Sequence, residues 1–127
     1  MAMHKIDPKK LSLQERVRKL NDMIVQGYFL EAFEKFYSDD MVRQDNQQRM
    51  VVGKDACRTQ EEYLVTGITE FRTARVKNVI YGNDISVVEW EFDYTHEAYG
   101  DCKYSHIAIQ KWNCDGQIIN EIIYNNN

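Results

Sequence analysis

The chain lacks most of the residues and spacings from which the commoner catalytic devices are built. Its three cysteines, Cys57, Cys102 and Cys114, cannot all pair with one another and have no metal-type spacing. They read as reduced, partly buried thiols of a cytosolic protein. Three histidines without H-x-H or H-x-x-x-H spacing, one of them (His4) in the N-terminal tail, make no ligand set, so no metal is expected. There is no glycine-rich phosphate loop and no G-x-S-x-G nucleophile turn. Any chemistry is therefore expected to be cofactor-free acid–base work. Lysine and arginine are scattered and the formal charge is -4. No basic face forms, so nucleic acid is not an expected partner. No apolar run approaches the roughly 20 residues that span a membrane. Met1 to Lys10, charged and carrying Pro8, lacks the apolar core of a signal peptide. A cytoplasmic protein is expected, with no membrane partner. Internal repeats are absent, and the last three asparagines read as a solvated end.

What is present is an ordered succession of patterns. At 127 residues the chain suits one domain, a tail over 1–10 and a folded core over 11–124, burying roughly two-thirds of its unfolded surface. Ser12 with Glu15 three residues on is a capping box. Leu13, Val17, Leu20 and Ile24 then recur at helical spacing up to Gly27. A second helix carries Phe29, Ala32, Phe33 and Phe36 on one stripe, with Ser38-Asp39-Asp40 ending it. Met41 to Asn46 is short and mixed and reads as an edge strand. A third helix is predicted from about Asp55 to Thr66, with Ala56, Tyr63 and Leu64 inward and Gly67 as its stop.

From Ile68 the period changes to two. Strands are predicted over Thr69 to Tyr81, Ile85 to Glu97, Cys102 to Asn113 and Gln117 to Tyr124, separated by turn signals. Short loops imply antiparallel pairing of neighbours. In the strand from Ile85, Val88, Trp90, Phe92 and Tyr94 alternate with Glu89, Glu91 and Asp93, so one face looks inward. The next strand sets Tyr104, His106, Ala108, Gln110 and Trp112 against Ser105, Ile107, Ile109 and Lys111. Which face is inside depends on the turn near Gly100, because a one-residue slip reverses the assignment. Helices segregated ahead of a sheet make the class α+β, and so few elements bury a core only if the sheet curls around the helices.

The order helix, helix, strand, helix, four strands resembles the SnoaL-like branch of the nuclear-transport-factor-like superfamily, which includes ketosteroid isomerase, scytalone dehydratase and polyketide cyclases. The local cues are Glu31-Ala32, Tyr37-Ser38-Asp39-Asp40, Val52-Gly53-Lys54-Asp55-Ala56 and the Asp115-Gly116-Gln117-Ile118 turn. The resemblance implies a cone-shaped, strongly curved, mostly antiparallel sheet (a cystatin-like α+β roll) packed on three helices, its concave side holding a ligand. Its outer face often makes a dimer. Matching ketosteroid isomerase through Asp39-Asp40 puts Asp45 at the general-base position. Anchoring on Gly116 puts Ala108 where that enzyme has a protonated acid, and its oxyanion tyrosine falls near Leu20 or Asn21. One of three catalytic positions is kept, which argues against steroid isomerisation. The same anchoring puts Trp90, Phe92, Tyr94, Tyr104 and His106 on the concave side, with Glu121 rather than Ile122.

Each candidate has a functional and a structural reading. Asp45, at the mouth of an aromatic pocket, would have a raised pKa and serve as a base; otherwise it is an exposed acid bonded to Asn46 or Gln47. His106 would donate to a developing enolate or shuttle a proton, or else bond to Tyr94 or Tyr104. Glu121 would pair with His106 and orient it, or sit on the rim. Tyr63, Tyr94 and Tyr104, with Trp90 and Phe92, would line a small-ligand pocket, or be core aromatics. His96, beside a turn, reads as solvated. Two functions follow: a pocket protein acting as isomerase, cyclase or dehydratase on an apolar, carbonyl-bearing compound, or a non-catalytic carrier or association module. Ile107 and Ile109 would lie on the convex side and favour a homodimer.

Overall fold

A computed structural model describes residues 10–125. The expectations for the tail, for His4 and for Asn126 and Asn127 lie outside the described residues. Three helices, α1 (Leu13–Val25), α2 (Phe29–Phe36) and α3 (Lys54–Thr66), pack on a curved six-stranded sheet. Its strands are β1 (Tyr37–Asp45), β2 (Val51–Val52), β3 (Ile68–Tyr81), β4 (Ile85–His96), β5 (Gly100–Trp112) and β6 (Ile118–Asn125), in the order β2-β1-β6-β5-β4-β3. The class is α+β, as the pattern of helices before strands implies. Among the described residues, no helix is long and apolar enough to cross a membrane.

The helices form where the periodicity places them. Ser12 and Glu15 complete the capping box, each covering the other's free backbone N–H. Val17 and Leu20 of α1 and Ala32, Phe33 and Phe36 of α2 are buried together against the inner face of the sheet. Gly27 joins the two helices at a positive φ of 89° that side chains rarely adopt.

Three expectations about this half are corrected. The segment Ser38-Asp39-Asp40 does not end α2; the helix stops at Phe36 and the acids already lie in β1. Nor is β1 an edge: β6 pairs with it in parallel on one side and the two-residue β2 covers the other. The return of the chain's last strand to its first puts Met41 and Arg43 in the interior. The inner face of α3 is not Ala56 and Tyr63, which are exposed; it carries Lys54, Cys57, Glu61 and Leu64. That stripe is half polar, so an apolar count misses it.

The second half follows its period of two. β3 to β6 pair antiparallel in sequence order. Val88, Trp90, Phe92 and Tyr94 of β4 and Ala108, Gln110 and Trp112 of β5 are buried on the helix side. Glu121 of β6 points inward and is 3% exposed. Asn125 is not a solvated end: it closes β6, exchanging hydrogen bonds with Asn46 at 2.8 and 2.9 Å.

Candidate functional site

Register decides what meets inside the sheet, because side chains directly opposite on neighbouring strands share a face. One inward row runs Arg43, Glu121, Gln110, Ser86 across β1, β6, β5 and β4. The next row, two residues on, runs Asp45, Ile123, Ala108, Val88. The third runs Asn125, His106, Trp90. Between these rows and α3 lies a cavity of about 1120 Å³, and Asp45, His106, Glu121, Tyr63, Trp90, Phe92, Tyr94 and Tyr104 all border it.

The first row is the closed end, and every polar group in it is paired. Glu121 Oε1 accepts from Arg43 Nε at 2.9 Å and forms an ion pair with Nη2 at 2.9 Å. Its Oε2 accepts from the Tyr37 hydroxyl at 2.6 Å and from Gln110 Nε2 at 2.9 Å. The chain continues as Ser86 Oγ donates to Gln110 Oε1 at 2.8 Å and Trp112 Nε1 donates to Ser86 at 2.9 Å. Arg43 Nη1 reaches Glu61 of α3 at 2.7 Å, tying that helix to the sheet, and the guanidinium lies over the Phe33 and Tyr37 rings. Burial opposes the Arg43 charge, but Glu121 and Glu61 outweigh it and hold its pKa well above the ordinary value. Burial, then the Glu121 charge, pushes the Tyr37 hydroxyl up and keeps it a neutral donor. Glu121 therefore does not pair with His106. Arg43, Tyr37 and Gln110 take its lone pairs. Sequence reading missed all three, since the contacts span parallel β1 and β6 and a register that only the folded sheet defines. The one available signal was a basic residue, Arg43, alternating with Met41 and Asp45 on a short strand.

The second and third rows form the open lip. Asp45 faces Ile123 and then Ala108 across the sheet, neither of which offers a polar group, and its carboxylate has no hydrogen bond to a described residue. Desolvation raises its pKa; Arg43 opposes and Glu121 assists. The expected local bonds to Asn46 and Gln47 do not form; the Asp45 carbonyl instead accepts the backbone N–H of Gln48. His106 packs its ring on Phe92, with centroids 4.8 Å apart, and its nitrogens likewise have no described partner. Burial pulls its pKa down to about 4, so the imidazole is neutral at pH 7. The expected bond to Tyr94 or Tyr104 is absent because those two hydroxyls bond each other at 2.8 Å. Asp45 and the His106 strand lie two strand spacings apart, roughly 10 Å across the sheet. They are too far apart to pair directly, and both border the same cavity.

Aromatic rings complete the wall. Trp90 stacks on Phe92 at 5.2 Å, and Tyr94 meets Tyr104 edge-on at 5.9 Å. Burial raises the pKa of both tyrosines, leaving them neutral at physiological pH. Tyr63 is 56% exposed and stands at the mouth beside Tyr99 rather than inside. His96, read as solvated, is 2% exposed. Its ring stacks on Tyr99 at 4.6 Å, its Nδ1 accepts the Ala98 N–H at 3.0 Å, and Nε2 has no partner. It fits there because residue 67 is glycine: a Cβ at Gly67 would lie 2.2 Å from Nε2. Gly67 is the C-cap of α3, as expected, at an ordinary φ of -82°, and its missing Cβ also allows this close approach. Among the described residues, no group of three or more His, Cys, Asp or Glu side chains could hold a metal ion.

The SnoaL-like domain model matches residues 11–125, almost the whole chain. The chain belongs to the SnoaL-like domain family. Solved structures agree on the fold. A candidate SnoaL-like polyketide cyclase from Mesorhizobium loti superposes with a TM-score of 0.78 at 20% identity, covering 90% of this chain and 99% of its own. A second, from a Jannaschia species, gives 0.73 at 14% identity, with 99% and 91% covered. An LEH-like epoxide hydrolase from M. tuberculosis gives 0.71 at 12% identity, with 90% and 82% covered. A search of curated protein sequences finds no significant match. At these identities the structural likeness carries the fold of the SnoaL-like domain and not an activity.

Proposed function

We propose that this SnoaL-like domain binds an apolar, carbonyl-bearing small molecule between Asp45 and His106 and moves a proton on it without a cofactor. The observation that supports this reading most is the contrast within one cavity: at the lip, a desolvated carboxylate and a neutral imidazole both lack a hydrogen-bond partner among the described residues. A carboxylate with a raised pKa is a better base near neutral pH than an ordinary one. It would take the proton from the carbon next to the carbonyl, the electron pair moving into an enolate. A neutral His106 N–H would donate to the enolate oxygen, as preorganised donors do for developing charge. Returning the proton to a different carbon gives isomerisation, and bond formation or loss of water from the enolate gives cyclisation or dehydration. The Tyr94–Tyr104 hydroxyl pair and the Trp90–Phe92 stack supply orientation and apolar contact.

Tetralone, an uncharged aromatic ketone, tests both steps. Binding is expected to quench the emission of Trp90, and exchange of the α-protons in heavy water is expected to accelerate above the buffer rate. Asp45→Asn should keep the quenching and lose the acceleration. Binding with exchange unchanged by Asp45→Asn would leave a carrier and remove the catalytic role. No binding by tetralone or related ketones would count against the reading as a whole.

The convex face favours self-association. Ile107 and Tyr124 are opposite one another and 39% and 47% exposed, beside the Ile109–Ile122 pair. We infer a homodimer through this patch. Sedimentation at tens of micromolar should show a dimer that Ile107→Glu dissociates; a monomeric wild-type protein would refute it.

A further inference from the structure

The charges around the cavity restrict the ligand further than its apolar wall does. Six charged residues border it: Arg43 and Lys103, against Asp45, Glu61, Asp101 and Glu121. Lys103 is an exposed residue at an outward position of β5, since the inward positions of that strand are the even-numbered ones. Asp101 is at the exposed rim, held by Thr95 at 2.7 Å and by Arg72 at 3.7 Å. The interior balance therefore rests on four groups. Arg43 is the one cation among them, and two carboxylates already hold it: Glu121 through Nε and Nη2, and Glu61 through Nη1. Glu61 and Glu121 side chains are 16% and 3% exposed, so water screens this trio little. The trio carries one net negative charge, and Asp45, two residues from Arg43 on the same face, adds to it whenever ionised. His106, neutral at pH 7, supplies no compensating charge.

We infer that the ligand of this cavity bears no carboxylate, sulfate or phosphate at its buried end, because the Glu61–Arg43–Glu121 trio gives the interior an excess of negative charge. The ligand is an uncharged or positively charged aromatic or alicyclic compound. An isolated arginine in an aromatic cavity would point the other way, to a carboxylate or phosphate anchor. Here both edges of the guanidinium are occupied, and a bound anion would be the third negative group around one positive charge. This inference rests on the pocket-binding reading above and specifies the class of compound it takes.

Three naphthalene probes of similar size test it at pH 7 on the intact protein: naphthalenemethanol, naphthoate and naphthylmethylammonium, titrated by quenching of tryptophan emission. The uncharged and cationic probes are expected to bind, with naphthoate at least tenfold weaker than naphthalenemethanol. Glu61→Gln, at a half-buried position where the amide oxygen can still accept from Arg43, should narrow that gap several-fold. Naphthoate binding as tightly as naphthalenemethanol, or a gap that Glu61→Gln does not change, would overturn the charge inference while leaving pocket binding intact. Failure of all three probes at millimolar concentration would instead overturn the pocket reading beneath it.

Discussion

At the closed end of the cavity, the Glu121 carboxylate accepts three hydrogen bonds from three side chains, whereas one register step away the Asp45 carboxylate accepts none from a described residue. Both are inward-facing carboxylates on adjacent strands of one sheet. The difference comes from what the neighbouring strands put opposite them. Glu121 meets Arg43 and Gln110; Asp45 meets Ile123 and, beyond it, Ala108. A paired buried carboxylate is a structural element whose removal leaves its partners stranded. An unpaired one is held in a higher free-energy state by the fold around it, and such groups concentrate where ligands bind. The same contrast separates Gln110, bonded on both its amide atoms, from His106, two rows away on the same strand.

The largest expected effect comes from breaking the paired end. Glu121→Ala leaves a buried Arg43 charge and the Tyr37 hydroxyl without their main partner, and should cost about 3–5 kcal/mol in urea unfolding. A loss under about 1 kcal/mol would show that the closed end is hydrated and not different in kind from the lip.

His106 gives the next effect, through pH. Its folded pKa of about 4 lies below the usual 6.5, so the unfolded chain binds the proton more readily. The stabilisation from keeping it neutral is complete above pH 6.5 and is lost as pH falls through 6.5 towards 4. The loss amounts to up to about 3 kcal/mol at 1.36 kcal/mol per unit. His106→Asn should remove that part of the acid sensitivity, as measured by unfolding at several pH values.

Gly67→Ala tests the mouth, which belongs to neither end. The new methyl would meet His96 Nε2, and displacing a buried ring of this kind costs about 1–3 kcal/mol. Adding His96→Ala should recover part of the loss, a coupling that a double-mutant cycle measures.

Asp45→Asn should have the smallest effect on stability, and of opposite sign. A raised folded pKa means that folding favours the protonated form of Asp45 more than the unfolded chain does. Its contribution is complete below the unfolded pKa and lost as pH rises through the folded one. Replacing it with a neutral amide should therefore stabilise the protein slightly at pH 7, by under about 1 kcal/mol, while any proton-transfer activity disappears.

Much of this architecture was legible in the sequence, for identifiable reasons. The stripes Val17–Leu20 and Phe33–Phe36, and the alternation of Trp90, Phe92 and Tyr94 with acids, are local periodicities that the interior simply satisfies. The meeting of Asp45, His106 and Glu121 on one cavity was also expected, but through family resemblance rather than the residues themselves. What could not be read depends on contacts far apart in sequence. The Arg43–Glu121 pair joins residues 78 positions apart across a parallel strand pair. The burial of His96 depends on a missing Cβ at Gly67 and on Tyr99 folding back over the ring. The inner face of α3 was misassigned because Lys54 and Glu61 turn inward through ion pairs, and a search for apolar spacing ranks Ala56 and Tyr63 above them.

Site-resolved NMR titration of the Asp45 carboxyl carbon and the His106 ring in the ligand-free protein tests most directly whether the lip is a desolvated, unpaired site. Asp45 is expected to titrate above its own ordinary value, and His106 with a pKa of about 4. Titration of Asp45 at its ordinary value together with His106 near 6.5 would mean that water fills and screens the lip, and would contradict the assignment of this cavity as the functional site.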